Sequence, residues 1–283
     1  MGSKSKIARH VLHALPYADN LYDLFGGGFS ITHCAALVFE DKWKKFHYNE
    51  IKPGMSEFIK DAIDGKYNYK NFKPKFINRE EFKKSTDQYV KVIWSFGNNC
   101  KQYLFNPDIE RCKKSLHNAV VFNEFDDYAK KFMGFDKFEF SDIKKRRLAL
   151  KKVDHSLQLQ QLQQLQQLER LERLERLERL ERISFSSLSY NQVEIKDNSI
   201  IYCDPPYAGT AKYSAGGFDH NNFYNWARES KHPIYFSEYK APTDFKTIKV
   251  FSHRSTLSNS ANNQVYEKIF ANGPGYALFK SQK

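Results

Sequence analysis

The sequence predicts a doubly wound α/β sheet interrupted by a mainly helical insertion, and three observations predict it. Short apolar runs alternate with stretches of helical spacing at both ends of the chain. A glycine triplet, Gly26-Gly27-Gly28, stands between the first apolar run and the helical stretch after it. Between about residues 70 and 185 the alternation stops, and a Lys-rich, aromatic pattern without a strand signal takes its place.

The elements follow in order. Ile7, Val11 and Leu15 recur at i, i+4 and i+8, which predicts an amphipathic helix ended by Pro16. Asn20 to Phe25 reads as a strand, the glycines as a turn, and Phe29 to Phe39 as a helix. Lys45 to Ile51 is the second strand candidate. After the insertion, Asn198 to Cys203 is a continuous apolar strand, and Ile234-Tyr235-Phe236, Lys246 to Phe251 and Val265 to Phe270 are further strands. The expected organisation is therefore a core domain of residues 1–70 and 185–283 and an insertion of residues 70–185.

Residues 157–183 repeat with a period of three, LQLQQLQQLQQLERLERLERLERLERI. Glu169 precedes Arg173 and Glu178 precedes Arg182 by four residues, an order that favours helix. A leucine every third residue is not a heptad. The row drifts by roughly 60° per repeat around an α-helix, so it forms no single stripe. Such a helix is wrapped on changing sides, or it tightens locally towards three residues per turn. It reads as a scaffold helix of the insertion or as a spacer or partner surface.

The net charge is +12, which favours a polyanionic partner over an unspecialised basic protein only evenly. Four cysteines show neither CxxC spacing nor metal-ligand spacing with histidine, so reduced, buried thiols and no metal are expected. No apolar leader or long apolar run is present, so the expectation is a cytoplasmic protein with no membrane span.

The chemistry centres on Asp204-Pro205-Pro206-Tyr207, directly after the strand ending at Cys203. By chance this tetrapeptide occurs in roughly one chain of this length in a thousand. Ligands bind at the carboxyl ends of strands in open α/β sheets. An exocyclic amine of a nucleobase is a poor nucleophile because its lone pair is delocalised into the ring. Two acceptors aimed at its N–H bonds, the Asp204 carboxylate and the Pro205 carbonyl, favour pyramidal nitrogen and stabilise its developing charge. The prolines stiffen the turn and donate nothing. Tyr207 suits stacking on a base taken out of a duplex. The competing reading is an acidic turn with a surface tyrosine. Gly26, Gly27 and Gly28 allow close approach of a ligand to the backbone, or serve a tight turn only. Glu50, at the end of the second strand, suits ribose hydroxyls, or is a solvated carboxylate.

The order of these elements resembles the D12-class (α group) DNA adenine methyltransferases, the family of Dam and its phage relatives. Gly2-Ser3-Lys4 before a helix ending in Leu15-Pro16 resembles the family's N-terminal cofactor motif, with Ser3 in place of a glycine. Asp23 to Ser30 resembles the first cofactor loop, with Phe29 where its last glycine stands. Tyr48-Asn49-Glu50-Ile51 resembles the second motif, and Asp204 to Tyr207 the catalytic one. Ser189-Tyr190 occupies the third, which lacks its acid here, so only Tyr190 carries over. The resemblance implies a Rossmann-like sheet dependent on S-adenosylmethionine. It assigns cofactor contacts to Lys4, Asp23, Phe25, Gly26, Gly27, Gly28, Glu50, Tyr190 and Asp204. It places a target-recognition domain in the insertion and implies methylation of N6 of adenine in double-stranded DNA. Methylation of N4 of cytosine uses the same chemistry, with Asp rather than Ser at 204 favouring adenine. A relative that binds DNA without activity is the third reading.

Lys144, Lys145, Arg146 and Arg147 are candidate phosphate contacts, with a solvated helix face as the alternative. Asn98, Asn99 and Lys101 lie near a turn that either reaches DNA or is structural only. Residues 210–217 read as a loop able to order over the site. His220 and His232 receive no role, because this transfer needs no histidine base.

Overall fold

The computed structural model describes residues 4, 7–70, 72–153, 165–175, 180, 182–207, 217–254 and 264–283. The chain divides into two compact units, one of Gly2–Ser56 with Leu180–Lys283 and one of Glu57–Arg179.

The first unit is a seven-stranded sheet in the order β3-β2-β1-β4-β5-β7-β6. Its strands are β1 (Asn20–Asp23), β2 (Lys45–Asn49), β3 (Ile183–Ser186), β4 (Ser199–Cys203), β5 (Ile234–Glu238), β6 (Lys246–Arg254) and β7 (Gln264–Ala271). β3, β2, β1, β4 and β5 run parallel, whereas β7 is antiparallel to both β5 and β6. Strands β1, β4 and β5 are buried at every residue, as apolar runs covered on both faces should be. Alternation along β4 feeds two cores. Ile200 and Tyr202 join Val11, Leu12 and Ala35 of α1 (Ala8–Ala14) and α2 (Ser30–Val38), with Leu21 and Tyr235. Ile201 and Cys203 join Tyr22, Phe223 and Phe236 on the other face.

β3 lies outside the expected strands. It is a half-exposed edge strand; of the helix expected to run to residue 183, the described part ends at Glu175, and Leu180 and Arg182, the latter at φ 65°, are not helical. All four cysteines are free, but only Cys203 is buried.

The second unit is helical among its described residues, apart from an isolated bridge between Ser95 and Tyr103. The helix α3 (Met55–Ile63) spans the boundary between the units, which therefore falls earlier than residue 70. Aromatic packing accounts for this: Phe58 touches Tyr67 at 5.6 Å, and Tyr67 stacks on Tyr89 at 5.1 Å. Next come α4 (Arg79–Lys84), α5 (Gln88–Ile93), α6 (Pro107–Phe122), α7 (Asp127–Met133) and α8 (Ile143–Lys152). A capping box between Asn78 and Glu81 starts α4, and Asn106 with Pro107 starts α6.

The repeat forms α9 (Gln166–Glu175); residues 157–164 and 176–179 lie outside the described residues. Leu165, Leu168 and Leu171 are all fully buried, and so is Gln167, which shares a face with Leu171 at i, i+4. From Leu165 to Leu171 the row drifts by roughly 120° and stays buried throughout, along one broad arc of the helix. Gln167 donates to His117 at 3.3 Å, and Arg170 donates to the carbonyls of Val92 and Ser95 at 3.3 and 2.8 Å, capping the end of α5.

Candidate active site

β2 lies on one side of β1 and β4 on the other, so the winding of the sheet reverses between β1 and β4. The carboxyl ends of these strands form the crevice where such sheets bind ligands. Asp23 ends β1 and Asp204 follows β4, with Leu24 N–H bonded to the Tyr202 carbonyl at 3.1 Å.

Asp23 is buried; one carboxylate oxygen accepts from Thr32 Oγ1 at 2.8 Å, and the other, Oδ1, has no hydrogen-bond partner. Burial, with a smaller push from the neighbouring Asp204, raises its carboxyl to about 7.

The glycine loop is tied to β2. Gly26 N–H bonds to the Asn49 carbonyl at 2.9 Å, and Tyr48 Oη donates to the Gly27 carbonyl at 2.8 Å. A Cβ on Gly26 would lie 2.2 Å from Cε2 of the fully buried Tyr48 ring, so no other residue fits there. Phe29 stands at φ 69°, the left-handed backbone that the family's glycine would supply. Its ring is buried against Tyr48 at 5.3 Å, so packing offsets the backbone strain.

Glu50 accepts from Gly27 N–H at 2.8 Å and from Lys52 N–H at 3.0 Å, one bond on each oxygen. Asn49 donates to the carbonyls of Leu24 and Leu188 and accepts from the Ser186 hydroxyl and Leu188 N–H, which makes it a satisfied clip between β1, β2 and the 186–188 segment. Tyr190 stacks on Phe25 at 5.4 Å and meets Trp226 edge-on at 4.9 Å. The two aromatic residues expected near the cofactor are therefore neighbours.

Asp204 and Tyr207 meet Lys4. The Lys4 ammonium lies 3.1 Å from Asp204 Oδ1 and 2.6 Å from Glu267 Oε1, and it donates to Tyr207 Oη. Burial raises the Asp204 carboxyl to about 6 against the opposing pull of Lys4. Burial, then the nearby acids, pushes the Tyr207 hydroxyl up. The Tyr207 ring meets Tyr239 edge-on at 4.7 Å. His220 Nε2–H donates to the Pro206 carbonyl at 2.7 Å, and no described residue donates to the Pro205 carbonyl. His220 thus anchors the turn, a role the sequence did not signal. Glu267 was missed too, a single polar residue with no motif around it, and Tyr239, in the family-like segment Phe236-Ser237-Glu238-Tyr239, was given no role. Gly2, Ser3 and most of the 210–217 loop lie outside the described residues.

In the helical unit the basic run divides. Lys144 and Lys145 are exposed, whereas Arg146 and Arg147 are buried. Arg146 Nε donates to the Phe140 carbonyl at 2.7 Å. Arg147 binds Glu172 in bidentate fashion at 2.7 and 2.6 Å and Glu169 at 3.1 Å. The expectation that these two arginines contact phosphate is corrected: both are buried and turn their donors towards partners inside the fold. Ile143, Arg146, Arg147 and Leu150 fall at i, i+3, i+4 and i+7, the buried-face pattern of a helix, and that signal was present in the sequence. Asn99 closes a turn by accepting from Lys101 and Gln102 N–H, both at 2.9 Å. Asn98, Lys101 and the neighbouring Phe96 are exposed.

If Asp204 accepts from the amine it must be ionised, and the transfer rate is then expected to fall as pH drops through about 6. Stability moves oppositely. Asp23 titrates higher in the fold than in the unfolded chain, so its contribution is complete below about pH 4 and lost as pH rises through about 7. Asp23→Asn, which abolishes this titration, is expected to raise Tm at pH 8 by on the order of 5 °C and to lose that gain by pH 4. Rate–pH profiles and melting curves in matched buffers check both.

The strand order, with its antiparallel β7, and the acid-Pro-Pro-Tyr turn at the point where the winding reverses define an S-adenosylmethionine-dependent methyltransferase. The family profile of D12 class N6 adenine-specific DNA methyltransferases matches residues 1–272, and the chain belongs to that family. It is accordingly an enzyme with S-adenosylmethionine as methyl donor and DNA as substrate. No curated protein matches the chain. Two solved structures of the rRNA methyltransferase AviRa from Streptomyces viridochromogenes are similar to the whole chain at 10% identity. One match covers 89% of that protein with a TM-score of 0.40, the other 88% with 0.38. At those scores the likeness carries no weight, and the fold assignment rests on the strand order. Among the described residues no helix is long and apolar enough to cross a membrane, and no cluster of His, Cys, Asp and Glu is arranged to hold a metal.

Proposed function

We propose that this enzyme methylates N6 of an adenine taken out of double-stranded DNA, with Asp204 and the Pro205 carbonyl as acceptors for the amine. The observation that carries the reading is the pairing of a carboxylate only a fifth exposed with a carbonyl that has no donor among the described residues, on a proline-stiffened turn at the end of β4. Both acceptors favour a pyramidal nitrogen and stabilise its positive charge. Burial sharpens that stabilisation, because few water dipoles compete. Tyr207, fixed by Lys4 and Tyr239, offers a ring face to an extruded base. Family membership supports adenine over N4 of cytosine.

When bound, S-adenosylmethionine supplies an electrophilic methyl group carried on a sulfonium. The residues present fit it. Asp23 Oδ1 is a buried acceptor in need of a donor. Each Glu50 oxygen accepts one bond and retains a lone pair for a ribose hydroxyl. Phe25 and Tyr190 provide aromatic surface for the adenine ring. Gly28 borders open space, since a Cβ there would meet nothing within 4 Å. The acids Asp23 and Asp204 suit a cationic ligand.

We further assign target recognition to the helical unit, with Asn98, Lys101, Lys144 and Lys145 as its exposed DNA-facing candidates. Lys144→Glu with Lys145→Glu is expected to weaken DNA binding about tenfold or more at 0.1 M salt, with Tm unchanged. Arg147→Ala is expected to do the reverse. It leaves Glu169 and Glu172 without their partner and costs about 1–3 kcal/mol of stability, with DNA affinity nearly unchanged in the folded protein. Gel shifts and urea unfolding separate the two.

The deciding experiment is sequencing, with detection of modified bases, of DNA from cells expressing the chain. N6-methyladenine at a recurring site supports the proposal. N4-methylcytosine replaces its base assignment, and unmodified DNA leaves only the inactive DNA-binding reading.

A further inference from the structure

We propose that Glu267 is a positioning residue for the transfer: it holds the Lys4 ammonium beside Asp204, bracing one carboxylate oxygen and leaving the other for the substrate amine. The inference rests on the reading that Asp204 accepts from that amine.

Glu267 lies on β7, separated from β4 by β5, and is 3% exposed. A carboxylate there loses its hydration and needs a partner. Lys4 is that partner at 2.6 Å, and the same ammonium reaches Asp204 Oδ1 at 3.1 Å. Among the described residues, Lys4 is the cation paired with either acid. An ammonium with Asp204 as its sole carboxylate would close on it and compete with the substrate N–H. Glu267 takes the shorter contact, and two carboxylates beside one ammonium leave a net negative charge. That charge suits a nitrogen that becomes positive during reaction.

The other groups around Asp204 do not perform this task. Asp23, at the end of β1, and Glu267 are like-charged neighbours that repel it. Tyr202, Cys203 and Tyr239 are held in their neutral forms by burial, and Glu238, at the end of β5, accepts from Tyr239 N–H at 2.8 Å. Tyr207 assists Asp204 through a hydrogen bond but is itself fixed by Lys4. Lys4 opposes the burial that pushes Asp204 up, and Glu267 determines where Lys4 stands.

The test uses the full chain labelled with 13C at aspartate carboxyls, the Asp204 resonance being assigned by its absence from Asp204→Asn. Glu267→Gln keeps an acceptor for Lys4 and removes a negative neighbour, so Asp204 is expected to titrate at lower pH than in wild type. Lys4→Gln removes the positive neighbour, so Asp204 is expected to titrate at higher pH. Single-turnover transfer of tritiated methyl to unmethylated plasmid DNA is expected to slow about tenfold in Glu267→Gln and to recover in part in Glu267→Asp. Affinity for S-adenosylmethionine by calorimetry should stay within about threefold, since Glu267 acts on Asp204 and not on the cofactor. In a Lys4→Gln background, Glu267→Gln should add no further loss, because its effect passes through Lys4. Multiplying losses, an unshifted titration, or a rate loss matched by lost cofactor affinity would each overturn the proposal. If Glu267→Gln does not fold, the Lys4→Gln titration decides alone, and an unchanged or lowered Asp204 titration overturns it. Should Asp204→Ala retain wild-type activity, the reading of Asp204 fails first, and that outcome is independent of every Glu267 variant.

Discussion

Asp204→Ala is expected to lower methyl transfer at least about a thousand-fold while DNA affinity stays within about threefold. The substitution removes the charged acceptor for the amine and leaves the neutral Pro205 carbonyl alone to hold it. The fold should survive, because the Lys4 ammonium keeps its 2.6 Å contact with Glu267 and is not stranded. Removing one of two buried acids should also relieve Asp23, whose carboxyl Asp204 pushes up. The pair of measurements is single-turnover transfer of labelled methyl and a gel shift on the same DNA. A variant within tenfold of wild-type rate would sink the assignment. Loss of DNA binding together with activity would show a structural defect instead of a chemical one.

The second large effect is expected at the glycine loop, where two neighbouring positions should behave oppositely. Gly26→Ala brings a methyl group to 2.2 Å from Cε2 and 2.4 Å from Cδ2 of Tyr48. The ring has nowhere to go: it is fully buried against Phe29 and Phe185, and its hydroxyl is bonded to the Gly27 carbonyl. The loop must move, at a cost of about 2–4 kcal/mol. That corresponds to a fall in Tm of roughly 5–15 °C. Gly28→Ala meets nothing within 4 Å and has no left-handed backbone to strain, so its Tm should hold within about 2 °C. If the open space beside Gly28 receives the cofactor, Gly28→Ala weakens S-adenosylmethionine binding without touching stability. Unchanged affinity in that variant would remove Gly28 from the cofactor site. Calorimetry and thermal denaturation of both variants give the contrast.

Sequence by itself determined the parts of this protein whose information is local. β1, β4 and β5 were legible because strands buried on both faces carry apolar residues in succession, here Leu21-Tyr22, Ile200 to Cys203 and Ile234 to Phe236. The Asp204-Pro205-Pro206-Tyr207 turn was legible because its acceptor, stiffness and ring sit in four consecutive residues. The family was legible for the same reason, and the profile match over residues 1–272 agrees with it. The helix in the Leu-Glu-Arg repeat was legible from residue type and Glu-to-Arg order, while its drifting leucine row left open how the leucines are covered, which burial of Leu165, Leu168 and Leu171 decides for the described part.

Tertiary structure decided what depends on the order of strands and on the direction of side chains. Half-exposed β3 lacks the apolar run that marks a central strand. Lys144 to Arg147 has one composition and two fates, because adjacent residues point to different sides of a helix. Phe29 read as a departure from a glycine pattern, yet the chain keeps φ 69° there, because a buried ring offsets the strain. Lys4, Asp204 and Glu267 come from the two ends of the chain and from its middle strand. Only the order β4-β5-β7 brings the two acids to one ammonium. A charge acts through distance in space, and distance along the chain carries no record of it.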